Sequence, residues 1–236
     1  MSTATNWKLC PLVRRMSELS FLFGITVDLW RNSFSYILGW NPGTEKEIYT
    51  LEELVKDFDL ERVHKSGAKF DPEKTKWFQQ QHLHLATDES LVSGLQAILA
   101  EKQINCDDAY VQHVIHLVKD RAIFIADLWE QGSFFFERPT SYDEKAAKKA
   151  WKEDTHLLMT ELIEVIQGIE NFKANIIAEK VKSWITAKEI GFGKIMQPYR
   201  ISLVGSLQGA DLFEISEAIG KHETIARIKK ANETLR

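Results

Sequence analysis

The chain has 236 residues, 44% hydrophobic and 27% charged, with a net charge of −4. Such a chain can bury a core in one large or two to three small domains, which excludes disordered and collagen-like classes. Its mild acidity excludes a protein that grips nucleic acid with its whole surface, because phosphate binding depends on clustered Lys and Arg, so any such site must be local.

The longest apolar run, residues 21–27, is bracketed by Glu18 and Asp28 and falls far short of the roughly 20 residues a membrane helix requires, so no span is predicted. Arg14 and Arg15 precede that run, but no small-residue cleavage site follows it, and secretion is not expected. Only Cys10 and Cys106 are present, too far apart for a CxxC pair and too few for a disulfide framework, which points to a reducing cytoplasm.

With five prolines, no Ser/Gly linker and no internal repeat, the chain is expected to be packed helices throughout, an all-α protein. Asn41-Pro42-Gly43-Thr44 predicts a turn, since Pro fixes one backbone angle and Gly tolerates the positive one beside it. Leu51, Leu54, Val55 and Phe58 mark a short amphipathic helix. Asp71 followed by Pro72 predicts the cap and first position of a helix carrying Trp77.

His82 and His84, and His113 and His116, are closely spaced, yet no third ligand is spaced to complete a zinc site, and no metal is expected. Asp107-Asp108 is read as a helix start. The cluster Arg138-Pro139-Thr140-Ser141-Tyr142 is the expected subdomain boundary in the C-terminal half. Leu158, Leu162, Val165, Ile166, Ile169 and Phe172 recur at spacings of three and four and predict one apolar helix face. Ile177, Val181, Trp184 and Ile185 predict the next helix, with Gly191 and Gly193 as its left-handed stop. Asp211 and Glu214 have capping-box spacing, so a helix should start there and end near Gly220.

No P-loop, GxGxxG, GxSxG or HExxH occurs, and no catalytic residue can be named. Residues 176–236 carry 10 Lys plus Arg against 7 Asp plus Glu, a local excess of +3. Arg121 and Arg200 are the candidate functional residues: a guanidinium offers a bidentate donor fork and a flat face, the two means by which an unstacked RNA base is read.

Two blocks carry more specific information. One is Gln197-Pro198-Tyr199-Arg200-Ile201-Ser202-Leu203-Val204-Gly205-Ser206, followed by Gly209-Ala210-Asp211-Leu212-Phe213-Glu214-Ile215 and Gly220-Lys221-His222-Glu223. The other is Leu51-Glu52-Glu53-Leu54, Phe58-Asp59-Leu60-Glu61-Arg62-Val63 and Lys65-Ser66-Gly67-Ala68-Lys69-Phe70-Asp71, continuing through Lys74 to Trp77. In this order they resemble the C-terminal half of bacterial glutamyl-tRNA synthetases.

The resemblance implies a stem-contact region and two helical anticodon-binding subdomains forming an α-helix cage. The expected division is 1–85, a divergent segment plus the stem-contact-like region, then 86–139 and 140–236 for the two subdomains. Arg121 matches the family arginine that contacts the third anticodon base, and Arg200 another anticodon-contacting arginine. Gly209, Ala210 and Leu212 match neighbouring contact positions, although Gly209 and Ala210 can offer only backbone groups.

The resemblance also implies what this chain leaves to other parts of a ligase. Neither the HIGH-like nor the KMSKS-like motif occurs, so ATP and Mg would act only through a catalytic domain and the chain is expected to be inactive alone. The expected partners are tRNA(Glu) and a separate catalytic chain, with no DNA and no membrane. Residues 1–35 depart from the family and suggest a truncated or frame-disrupted gene. The alternative expectation is a stand-alone helical protein-interaction or regulatory module.

Overall fold

The computed structural model describes residues 46–62 and 72–235, and every regular element among them is helical. The Asn41–Thr44 turn, the Asp71 cap, residues 1–35 and the 63–71 part of the block that begins at Leu51 lie outside the described residues. In chain order the α-helices are α1 Leu51–Asp57, α2 Pro72–Leu85, α3 Asp88–Glu101, α4 Asp108–Val118, α5 Ile125–Phe136 and α6 Glu144–Ala150. They continue with α7 Thr155–Gln167, α8 Ala174–Ala187, α9 Gly193–Val204, α10 Leu212–Ile219 and α11 Lys221–Thr234. Short 3-10 turns occupy Leu60–Arg62 and Lys119–Arg121.

The chain divides into two compact units, and the division falls inside α4 and α5. Of the described residues, one unit contains those up to Gln112 together with Lys119–Asp127; the other contains His113–Val118 and those from Leu128 onward. In the first, Phe78, Leu83, Leu91, Leu95, Leu99 and Val111 are buried. Gly94 permits a close approach there, because a Cβ on it would stand 3.0 Å from Ile125 Cγ2. The second unit is a helical bundle in which α9 packs on α6, α7, α10 and α11, and α7 also packs on α8 and α11.

Local chemistry explains several of the helix boundaries. Pro72 opens α2, where its missing N–H costs nothing. Thr87 caps α3 through Ser90 N–H, and Asp143 caps α6 by accepting from Lys145 and Ala146 N–H at 2.9 Å. Asp211 accepts from the Phe213 and Glu214 amides and starts α10, which ends at Gly220 with φ of 83°. The starts at Pro72, Asp108 and Asp211 and the stop at Gly220 agree with the sequence expectation, whereas the Thr87 and Asp143 caps emerge from the structure.

Three expectations require correction. The left-handed residue after α8 is Glu189, at φ 56°, rather than Gly191 or Gly193. Glu189 N–H bonds Thr186 O and Ile190 N–H bonds Ile185 O, the paired bonds of a Schellman turn, which offset the cost of a side chain in that conformation. The buried face of α7 is Thr155, Met159, Leu162, Ile163 and Ile166, with Leu158 and Val165 only partly covered. Ile169 and Phe172 lie beyond its last turn, so one helical period cannot contain them. In α1, Val55 is 73% exposed, and Phe58, also exposed, follows the helix end instead of belonging to it.

Candidate nucleic-acid interface

The loop after α9 is built from beneath by buried polar contacts. Tyr199 is fully buried, with its hydroxyl 2.6 Å from Ser216 Oγ, and Ser216 in turn donates to Leu212 O at 2.8 Å. Burial raises the Tyr199 phenol well above its ordinary range. That ring therefore belongs to the core between α9 and α10 and is not available for base stacking. One position on, Arg200 is only partly buried and crosses the loop, where its Nη1 donates to the Ala210 carbonyl at 2.7 Å.

Gly205 ends α9 in the left-handed region at φ 84°, donating to Ile201 O and accepting from Asp143 N–H, both at 2.8 Å. A Cβ there would lie 2.8 Å from the Ser141 carbonyl oxygen, so the closeness of the two backbones requires glycine. Gly209 sits at φ 125°, and its missing Cβ would stand 3.5 Å from the Phe134 ring and 3.6 Å from Arg200 Nη1. The face of the loop left bare by Gly209 thus adjoins both an aromatic ring and a guanidinium. Ala210 and Leu212 are buried, at 4% and 2% exposure, so Leu212 supports the loop from inside.

Phe134 is held in turn by an ionic cluster. Arg227, 3% exposed, donates to Phe134 O at 2.6 Å and Leu203 O at 2.9 Å, supplying donors to carbonyls near the ends of α5 and α9. Its Nε donates to Glu223 Oε1 at 2.8 Å, and Glu223 also accepts from Arg138 Nε and Nη2 at 2.7 and 2.6 Å. Arg138 and Arg227 hold the Glu223 carboxyl at about 2, against its usual 4.5. On the neighbouring α8, exposed Lys182 places its ammonium 5.7 Å from the Phe213 ring centroid.

Arg121 belongs to the other unit. It is the exposed last residue of the Lys119–Arg121 turn, and among the described residues its side chain makes no hydrogen bond or ion pair. Ala122, next in the chain, is fully buried, and its N–H donates to Lys119 O at 3.1 Å. The structure therefore gathers Arg200, Gly209, Ala210 and Leu212 around one loop and presents Arg121 on a separate turn.

The sequence reading missed Phe134, Arg227, Glu223 and Lys182. Only the four-residue spacing of Glu223 and Arg227 was a usable signal; the remaining contacts join segments far apart in the chain. The paired histidines were not brought into a ligand set: His82 is buried and His84 partly so on α2, while His113 and His116 are exposed on α4. Among the described residues no group of three His, Cys, Asp or Glu could hold a metal ion, and no helix is long and apolar enough to cross a membrane.

Comparison with known proteins gives this geometry its family. Residues 73–232 match the model of a family described as an anticodon binding domain. The chain is 57% identical over 199 residues to the glutamate–tRNA ligase of Christiangramia forsetii, covering 84% of this chain and 39% of that protein. It is 54% identical over 203 residues to that of Flavobacterium psychrophilum, covering 86% and 40%. A crystal structure of a glutamate–tRNA ligase from Elizabethkingia meningosepticum superposes with a TM-score of 0.83 at 46% identity, covering 88% of this chain and 41% of that one. The chain spans about 40% of the length of the curated relatives it matches. A family match over most of the chain, together with close identity and a shared helical fold, means that the protein belongs to the anticodon-binding-domain family in the form found in glutamate–tRNA ligases.

Proposed function

We propose that this chain binds tRNA(Glu) through its anticodon arm and serves as the tRNA-recognition part of a cytoplasmic glutamate–tRNA ligase. The observation that carries the reading is the loop at Gly209, where the guanidinium of Arg200 is fixed by the Ala210 carbonyl beside a backbone kept open by glycine. A guanidinium held in one orientation suits recognition of an unpaired base, because its planar donor fork loses less conformational freedom on binding. Arg200 and the Gly209-Ala210 backbone would contact the anticodon, with Leu212 packing behind them. Arg121 would contact the third anticodon base.

On this reading residues 1–85 include the stem-contact-like region, and 86–139 and 140–236 form the two anticodon subdomains. ATP and magnesium act through a catalytic domain, carried on the same protein or on a partner chain. The residues described here bind and orient the tRNA while the chemical step occurs elsewhere.

The test is equilibrium binding of the purified chain to tRNA(Glu), and to the same tRNA with its third anticodon base replaced, at two salt concentrations. Tight binding weakened by the base change is expected. Arg200→Ala should cost about 1–3 kcal/mol of binding, selectively for the cognate anticodon. Equal loss with every tRNA would make Arg200 a phosphate contact, and absence of binding at low salt would overturn the proposed function.

A further inference from the structure

We propose that Lys119 is a positioning residue that sets the aim of Arg121, and that the pair is anchored to the junction of α2 and α3 through Lys119 rather than through Arg121 itself. The inference rests on the proposed role of Arg121 as a base-reading residue. Lys119 and Arg121 stand at opposite ends of a single 3-10 turn, an element too short and too weakly bonded to hold its own direction. Lys119 turns inward. Its ammonium donates to the Ala86 carbonyl just after α2 and pairs with Asp88 Oδ1 at 3.1 Å, in the first turn of α3.

The Lys119 side chain is only 13% exposed and that of Asp88 22%. With its donors directed at these groups, the lysine is a largely covered anchor and not a phosphate contact. Asp88 is doubly placed, since a carboxylate in the first turn also favours the helix N-terminus. The turn packs on α2 as well.

The chain is also fixed on the far side of Arg121. Ala122 is buried, and Asp127 Oδ2 accepts from both Ile123 and Phe124 N–H at 2.9 Å, which sets the entry into α5. Arg121 is thus an exposed guanidinium, without a side-chain partner among the described residues, on a backbone pinned at both ends. Base reading demands orientation within about 10–20°. Here the backbone supplies that orientation, and Lys119 holds its upstream end.

The proposal is tested by measuring binding to tRNA(Glu) and to the third-base variant over a salt series, for the wild-type chain and for Arg121→Ala, Lys119→Met, Asp88→Asn and the Lys119→Met/Arg121→Ala double variant. Arg121→Ala should reduce discrimination by about 5- to 150-fold, the range of a bidentate base contact. Lys119→Met should reproduce a large part of that loss, and Asp88→Asn a smaller part, with the salt dependence unchanged because Arg121 keeps its charge. The double variant should lose no more than Arg121→Ala alone.

Wild-type discrimination in both Lys119→Met and Asp88→Asn, with Arg121→Ala impaired, would overturn the positioning role. A salt slope lowered by about one in Lys119→Met, with discrimination intact, would do the same by making Lys119 a phosphate contact. Unchanged discrimination in Arg121→Ala would instead refute the base-reading role of Arg121, and this proposal with it. If Lys119→Met fails to fold, Asp88→Asn, which leaves the Ala86 bond in place, decides the question.

Discussion

Glu223→Gln should destabilise the bundle around α9 and α11 in a way that depends on pH. The carboxyl pKa is lowered from 4.5 to about 2, chiefly by its hydrogen bonds from Arg138 and also by Arg227. A depressed carboxylate stabilises the fold above the unfolded-state value, and that contribution is lost as pH falls through the folded-state value. The difference of roughly 2.5 units corresponds to about 3 kcal/mol at pH 7 and about 1 kcal/mol at pH 3. Both are upper figures, because Arg138 is 51% exposed and solvent screens its share. Glu223→Gln should therefore cost up to about 2 kcal/mol more at pH 7 than at pH 3, at most roughly a 30-fold difference in an opening equilibrium.

Amide hydrogen exchange in the α9 and α11 segments, corrected for the intrinsic effect of pH, reads that equilibrium in the full chain. Equal costs at the two pH values would refute the reasoning and leave Glu223 with a shape-filling role. Arg138→Ala provides an independent check, since it should raise the Glu223 pKa and move the onset of acid destabilisation to higher pH.

Three further outcomes are expected. Gly205→Ala should lower stability by more than 1 kcal/mol, because the residue sits at φ 84° and the new methyl would meet the Ser141 carbonyl; chemical denaturation checks it. Asp211→Ala should cost about 1 kcal/mol by removing the acceptor for two amides at the start of α10, and should loosen the Gly209–Ala210 loop in exchange measurements. Ser216→Ala should cost more than Tyr199→Phe, measured by denaturant titration. The first leaves a buried phenol hydroxyl without its partner, about 1–3 kcal/mol, whereas in the second Ser216 still donates to Leu212 O.

Residue order alone is enough to set the helical class and several of the boundaries, since caps and stops are local. Asp211 and Gly220 act on amides or φ angles within a few residues of themselves. It also carried the family blocks and, through them, Arg121 and Arg200. It could not reveal which residue would take the left-handed position after α8, because the Schellman bonds that let Glu189 do so depend on how the turn closes.

Tertiary structure alone decided the supporting shell. Phe134 and Arg227 are 93 positions apart, Arg138 and Glu223 are 85 apart, and Lys119 reaches back 33 positions to Ala86. No periodicity encodes such pairings. It also separated Tyr199 from Arg200, adjacent in sequence: helical geometry turns successive side chains by about 100°, so one ring entered the core while the next guanidinium crossed the loop. Local backbone chemistry is legible from residue order, whereas the aim of a side chain depends on distant groups whose contact exists only once the chain has folded.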